Sequence, residues 1–156
     1  MRDALRCRVV STFLLSSGLC LLACGCGDRG TKPRVDTTPP GIILSLEVGS
    51  RFSSSVELKW TAMGDDGDNG TASQYDLRYA KIPLAQENWS LASQVIGETP
   101  PLPAGQHETF TVTNLAPETT YYFGLKAADE MFNWSEISNI ATTTTLPAPD
   151  GTALHR

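Results

Sequence analysis

Four segments of the chain alternate between apolar and polar residues with a period of two, which is typical of β-strands with one buried face. These segments are residues 56–60, 75–79, 109–113 and 121–127, and weaker strand patterns occupy 42–48, 92–96 and 137–144. Clusters of Gly, Pro, Asn and Asp separate them, and no long helical period interrupts them; residues 84–89 fit a single helical turn. The pattern therefore predicts an all-β fold, a seven-stranded antiparallel β-sandwich.

A different pattern occupies the N-terminus and predicts a targeting segment. Arg2, Arg6 and Arg8 outweigh Asp3, and an apolar stretch follows over residues 9–23. This stretch is too short to span a bilayer comfortably, and a basic start followed by a short apolar core is typical of a secretory signal. We therefore expect residues 1–23 to be a signal peptide.

The signal ends in Leu21-Leu22-Ala23-Cys24, which resembles the bacterial lipobox, although Leu22 is larger than the residue usual at its place. The resemblance implies that Cys24 carries the lipid and begins a mature lipoprotein anchored in the cell envelope, in the periplasm or at the cell surface. Two alternatives stay open. Cleavage before Cys26 would release a secreted protein, and an uncleaved segment would act as an anchor.

Composition divides the remaining chain into three parts. Residues 24–38 are rich in Gly and polar residues without hydrophobic periodicity, so we expect a flexible tether behind the lipidated cysteine. The strand patterns place the folded domain at residues 39–145, and residues 146–156 are expected to form a disordered tail.

Charge and cysteine content exclude several kinds of function. The chain has 12 basic and 17 acidic side chains, and removal of residues 1–23 leaves a net charge of −7, so a basic surface for nucleic acid is not expected. All four cysteines lie within the first 26 residues, which excludes a disulfide, a cysteine zinc site or a thiol nucleophile in the domain. His107 and His155 lack the sequence context of a catalytic triad, and we expect no enzyme activity.

Three sequence features together resemble the fibronectin type III family over residues 36–145. They are Trp60 in the second strand, the segment LAPETTYYFGLKAAD at 115–129, and NWSEISN at 133–139. The resemblance implies that Leu115 and Tyr121 form a tyrosine corner between two strands and that Trp60 belongs to the core. It implies a fold and says little about function.

The loop after Trp60 is acidic and rich in glycine. Asp65, Asp66 and Asp68 offer hard oxygen ligands of the kind that calcium prefers, although the spacing is not that of an EF-hand. In a sandwich this loop shares one end with the incoming chain and with the loop that holds Asp129 and Glu130. We therefore expect an acidic end, with Asp65, Asp66, Asp68 and Asp129 as candidate calcium ligands. The alternative is a solvated turn in which Asp and Gly serve the backbone.

Three aromatic residues are candidates for binding a partner: Trp89, Phe132 and Trp134. Exposed aromatic rings stack on sugars or anchor protein partners. The alternative is that the two tryptophans cover the edges of a small core.

Together these features predict a non-catalytic cell-envelope lipoprotein whose domain interacts with an envelope protein or a polysaccharide, and which contacts the membrane through its lipid. Two alternatives stay open. In the first, the chain is a structural spacer without a ligand of its own. In the second, it is an accessory module of an extracellular hydrolase system.

Overall fold

The computed structural model describes residues 36–149, which form two antiparallel sheets packed face to face. The strands are β1 Glu47–Arg51, β2 Val56–Thr61, β3 Gln74–Ala80, β4 Ser93–Gln94, β5 His107–Val112, β6 Thr120–Ala128 and β7 Ala141–Thr144. A short 3₁₀ helix, Gln86–Leu91, lies between β3 and β4. The predicted seven-stranded antiparallel sandwich is confirmed.

One sheet has three strands in the order β1-β2-β5, and the other has four in the order β4-β3-β6-β7. The period of two in the sequence places every second side chain of a strand on the inner face. In β2, for example, Val56, Leu58 and Trp60 are buried, whereas Glu57 and Lys59 lie on the outer face and form an ion pair.

The core lies between the inner faces of the two sheets. Its largest fully buried side chains include Phe123, Ile43, Leu58, Leu77 and Leu125. An edge-to-face contact joins the sheets, because the rings of Trp60 and Tyr75 meet at an interplanar angle of 88° with their centroids 5.4 Å apart. Aromatic pairs in this orientation add stability beyond the area that they bury.

The first weak strand prediction, residues 42–48, overlaps β1 at two positions only, because β1 begins at Glu47. Ahead of β1 the side chain of Asn139 takes the place of a partner strand. Its Oδ1 accepts a hydrogen bond from the Leu46 N–H at 3.0 Å, and its Nδ2 donates to the Leu46 carbonyl at 2.7 Å. The segment thus satisfies its backbone through an amide side chain.

The prediction for residues 137–144 was too long at its start, because β7 begins only at Ala141. Before that point two serine hydroxyls satisfy the edge of β6. Ser138 Oγ accepts a hydrogen bond from the Leu125 N–H, and Ser135 Oγ accepts one from the Ala127 N–H, each at 3.0 Å. Along this edge of the second half of β6, serine hydroxyls therefore accept the N–H groups, while the backbone N–H groups of Ser135 and Ser138 donate to the carbonyls of Ala127 and Leu125. The third weak prediction, 92–96, shrinks to Ser93–Gln94.

At the C-terminal end, ordered backbone contacts continue beyond the predicted domain boundary at residue 145. Leu146 donates its N–H to the Phe52 carbonyl at 3.0 Å and accepts the Glu118 N–H at 3.3 Å, so backbone pairing reaches the first residue of the predicted tail.

The predicted signal peptide and Cys24 lie outside the described residues. Within 36–149, no helix has the length and hydropathy required to cross a bilayer.

Candidate functional site

The β2–β3 loop is tied to the segment that precedes the sandwich. The Gly67 N–H donates to the Pro39 carbonyl at 3.3 Å, and the Gly41 N–H donates to the Gly67 carbonyl at 3.0 Å. Gly67 has a φ of +62°, a conformation that glycine adopts without a steric penalty. Asp66 and Asn69 exchange two backbone hydrogen bonds across the same turn. The acidic loop therefore has a fixed position beside the N-terminal segment.

The β6–β7 loop is organised by the buried carboxylate of Asp129. Its Oδ1 accepts the N–H groups of Met131 at 2.9 Å and Asn133 at 2.8 Å, and its Oδ2 accepts a hydrogen bond from Asn133 Nδ2 at 2.6 Å. Burial raises the pKa of Asp129, but the hydrogen bonds from Asn133 and Met131 outweigh it and leave the pKa below its ordinary value.

Asp129 is therefore a structural group, which differs from its predicted role as a calcium ligand. Both of its oxygens already accept hydrogen bonds from the loop that follows it. The same Asn133 side chain also donates to the Asp36 carbonyl at 3.2 Å and so joins this loop to the N-terminal segment.

Three other carboxylates meet at this end of the sandwich. Asp36, Asp65 and Glu130 each place one carboxylate oxygen within 4.8 Å of the other two. They come from the N-terminal segment, the β2–β3 loop and the β6–β7 loop. Burial raises the pKa of Asp65, and the nearby charge of Glu130 raises it further, with smaller contributions from three other aspartates. This end of the sandwich therefore disfavours an ionised Asp65.

The structure brings together a different set of acidic residues from the one predicted. Of the four predicted ligands only Asp65 belongs to the cluster, since Asp66 and Asp68 are exposed and lie outside it. The sequence interpretation did not include Asp36 or Glu130 among the candidate ligands. Topology had already predicted that the incoming chain and the loop holding Glu130 share the end that holds Asp65, but it did not indicate which carboxylates would meet there.

Next to Glu130, three large apolar side chains of the same loop face solvent. Phe132 is 69% exposed, Met131 49% and Trp134 41%. Phe132 has a φ of +62°, which is uncommon for a residue that is not glycine and is strained for a bulky side chain. The N–H groups of Met131 and Asn133, on either side of Phe132, donate to Asp129 Oδ1 and so hold the backbone around Phe132. We call Met131, Phe132 and Trp134 the loop patch.

Trp89 does not belong to this patch, which corrects the prediction that it binds a partner. It is buried against the outer face of the four-stranded sheet, and its Nε1 donates to Asp76 Oδ2 at 3.2 Å. The guanidinium carbon of Arg78 lies 5.4 Å from the centroid of its ring, and Lys126 Nζ lies 5.3 Å from it. Hydrogen bonding and cation–π contacts hold this indole in place, so it covers the sheet.

The three residues predicted to be structural are all buried: Trp60, Leu115 and Tyr121. Tyr121 Oη accepts a hydrogen bond from the Ala116 N–H at 2.9 Å, which places the hydroxyl on the connection between β5 and β6. Trp60 Nε1 is buried without a hydrogen-bond partner among the described residues.

Comparison with known proteins places this architecture among described domains. The family model "Fibronectin type III domain" matches residues 39–144. The chain is 33% identical to human calcium-activated chloride channel regulator 1, with 81% of this chain and 15% of that protein covered. It is 30% identical to chitinase A1 of Niallia circulans, with 78% of this chain and 14% of that protein covered. The chain thus spans about one seventh of the length of these relatives.

Among solved structures, the FN1–FN3 domains of chicken CNTN1 match with a TM-score of 0.53 and 22% identity. The match covers 71% of this chain and 34% of that one. At this level of identity the similarity concerns the fold.

Proposed function

Because the chain belongs to the fibronectin type III domain family, we propose that it is a non-catalytic interaction module, held at the bacterial cell envelope by a lipid on Cys24. Domains of this family generally bind partners or space other modules apart. The lipobox-like sequence before Cys24 supports the envelope location, and a thiol-linked lipid with a second acyl chain gives stable membrane anchoring.

The loop patch is the observation that carries this proposal. A bulky aromatic residue at positive φ costs on the order of 1–3 kcal/mol, and such strain is concentrated at functional sites. Phe132 gains no burial in return, since it remains 69% exposed. Met131 and Trp134 of the same loop are exposed as well. In protein interfaces a few side chains carry most of the binding energy, and aromatic residues are enriched among them.

The partner is a protein or a polysaccharide of the envelope. Aromatic rings serve both classes, because they pack into protein pockets and also stack on sugar rings. The match to a chitinase supports a second candidate, an accessory module that works beside an extracellular hydrolase. The third candidate, a spacer without a ligand, predicts that the loop patch has no effect on any interaction.

Site-specific photocrosslinking in living bacteria tests the interaction. A photoreactive phenylalanine analogue replaces Phe132 in the full chain, and a matched control carries it at Ile96, which is 91% exposed and lies outside the patch. We expect a discrete adduct from position 132 that is absent from position 96. Equal adducts at both positions, or none at either, would support the spacer instead.

Sedimentation with insoluble polysaccharide separates the two partner classes. The full chain is mixed with chitin, and the variant Phe132→Ala/Trp134→Ala is compared with Leu91→Ala, an exposed apolar residue outside the patch. Sedimentation that only the patch variant loses indicates a polysaccharide ligand. Absence of sedimentation together with a protein adduct in cells indicates a protein partner.

The lipid anchor has a separate test. The variant Cys24→Ser should leave the membrane fraction, because it lacks the thiol that would carry the diacylglycerol. Persistence of the variant in the membrane fraction would argue against lipidation at this residue, and the interaction tests are independent of that result.

A further inference from the structure

Asn69 is followed directly by Gly70, and both residues are exposed in the β2–β3 loop. A glycine has no Cβ, so its backbone nitrogen is open to approach by the side chain of the preceding residue. Each of the other asparagines in residues 36–149 precedes a residue with a large side chain, namely Trp89, Leu115, Trp134 or Ile140. Asn69 is therefore the described asparagine whose neighbouring nitrogen is least shielded.

The two groups that would react at this position are also free of competing hydrogen bonds. Among the described residues, neither the Gly70 N–H nor the side-chain amide of Asn69 has a hydrogen-bond partner. The Gly70 carbonyl, in contrast, accepts the Ala104 N–H at 3.0 Å, which holds this peptide group in place. The nitrogen and the amide carbon belong to adjacent residues, so an attack of one on the other has the advantage of an intramolecular reaction.

A second acidic-residue-and-glycine pair in the same loop has a different environment. Asp66 is exposed and precedes Gly67, but the Gly67 N–H donates to the Pro39 carbonyl at 3.3 Å. A nitrogen in this state must give up its hydrogen bond before it can attack a carbonyl carbon, which adds to the barrier. The fold thus protects one glycine nitrogen of the loop and leaves that of Gly70 free.

We propose that Asn69 is a site of spontaneous deamidation in the folded protein. The Gly70 nitrogen attacks Cγ of Asn69, so that a bond between these atoms forms and the bond from Cγ to Nδ2 breaks. Ammonia leaves with the proton that the Gly70 nitrogen loses, and a cyclic succinimide remains. Water then opens either carbonyl of the ring and gives aspartate or its β-linked isomer, isoaspartate. The site does not depend on the proposed function.

The two products differ in what they do to the loop. Both add a negative charge to an acidic loop, but isoaspartate also lengthens the backbone by one CH₂ group. The backbone hydrogen bonds between Asp66 and Asn69, at 3.1 and 3.2 Å, depend on the normal chain length. The backbone of Asn69 also packs so closely on Gly64 that a Cβ there would overlap it. Isoaspartate should therefore loosen this loop and its attachment to the N-terminal segment.

Mass spectrometry of the full chain, incubated in mildly alkaline buffer, tests the site. We expect conversion of amide to acid at Asn69, with isoaspartate as a product, while Asn114 keeps its amide. Asn114 is an exposed internal control, because the N–H that follows it, that of Leu115, donates to the Ser54 carbonyl at 3.0 Å. The proposal is overturned if Asn69 stays intact in the folded chain over a period in which the chain unfolded in guanidinium chloride converts.

The variant Asp66→Asn tests the role of the free N–H. It places the tripeptide Asp-Asn-Gly twice in one loop, at residues 65–67 and 68–70, so that local sequence no longer distinguishes the two sites. In the folded chain, position 69 should convert several times faster than position 66, and unfolding should remove most of this difference. Equal rates at both positions of the folded chain would overturn the argument from the hydrogen bond of Gly67.

Thermal melting measures the consequence for the loop. The fraction that contains isoaspartate, separated by ion exchange, should melt below the unmodified chain. Asn69→Asp, with the same charge on a backbone of normal length, should melt closer to wild type. Asn69→Gln is the control for other damage, because its amide would have to close a larger and less favourable ring, and its melting should not change with incubation. Equal melting of the isoaspartate fraction and the unmodified chain would refute the loosening of the loop.

Discussion

The indole of Trp89 lies so close to the backbone of Gly124 that a Cβ atom on this glycine would come within 2.9 Å of the ring atom Cζ3. Ile140 and Ile137 would meet the same Cβ at 3.2 and 3.4 Å. Gly124 lies within β6, where a residue without a side chain leaves a shallow depression on the outer face of the sheet. Trp89, from the connection between β3 and β4, packs into this depression and covers the sheet.

Gly124→Ala should therefore lower the free energy of unfolding by about 1–3 kcal/mol, as expected for overpacking. Alanine is otherwise favoured over glycine within a strand by roughly 0.5–1 kcal/mol, so the sign of the change is informative. Urea unfolding of the single variant, and of the same change in a Trp89→Ala background, checks the cause. The loss should be smaller without the indole, because only the contacts with Ile140 and Ile137 remain, and an equal loss in both backgrounds would refute the contact with Trp89.

The lowered pKa of Asp129 predicts a pH dependence of stability. Its contribution is fully present above the ordinary aspartate value of 3.8 and is lost as the pH falls through the lower pKa of the folded state. Asp129→Asn should thus be less stable than wild type at pH 5, and the gap should narrow towards pH 2. Urea unfolding across this range measures it, with Glu136→Gln as an exposed control. A gap of constant size would contradict the pKa shift.

The positive φ of Phe132 predicts that glycine is better tolerated here than phenylalanine. Phe132→Gly should leave the free energy of unfolding unchanged or raise it by up to about 1 kcal/mol, because glycine adopts this conformation without strain. Met131→Gly, one residue earlier and without a positive φ, should lower it by roughly 0.5–1 kcal/mol. Chemical denaturation distinguishes the two, and equal losses would contradict the strain at position 132.

Because two serine hydroxyls accept the Leu125 and Ala127 N–H groups of β6, removing either hydroxyl should speed hydrogen exchange of the corresponding amide. Ser138→Ala removes the acceptor of the Leu125 N–H and should cost about 1–3 kcal/mol. Amide hydrogen exchange of Leu125 should accelerate more than that of Ala127, and Ser135→Ala should reverse the order. Ser90→Ala, at an exposed position, serves as the control. Unchanged exchange at both amides would show that the hydroxyls are dispensable.

Alternation of apolar and polar residues predicted β2, β3, β5 and β6 well, because each of these strands has one buried face. It overestimated the segments before β1 and β7 for a specific reason. There Asn139, Ser135 and Ser138 satisfy backbone groups through their side chains, and such contacts leave no period in the sequence.

The candidate site was predictable only as a region. Topology brought the β2–β3 loop, the β6–β7 loop and the incoming chain to one end, but it could not assign each carboxylate a role. Asp129 became a loop cap because its own neighbours Met131 and Asn133 donate to it. Trp89 was predicted as a possible exposed binding residue. The residues that bury it, including Gly124, lie far from it in the sequence, so a local pattern could not indicate its burial.

The serine-bonded half of β6 also bears on how these domains behave when many are held close together. An open strand edge offers unpaired N–H and C=O groups to a neighbouring molecule, and sheet-to-sheet aggregation begins there. Along this half of β6 the N–H groups of Leu125 and Ala127 already bond to serine hydroxyls, while their carbonyls accept the N–H groups of Ser138 and Ser135. This stretch of edge therefore resists cross-β association. Where many copies of the domain lie close together on a surface, it offers no unpaired strand edge at which aggregation could begin.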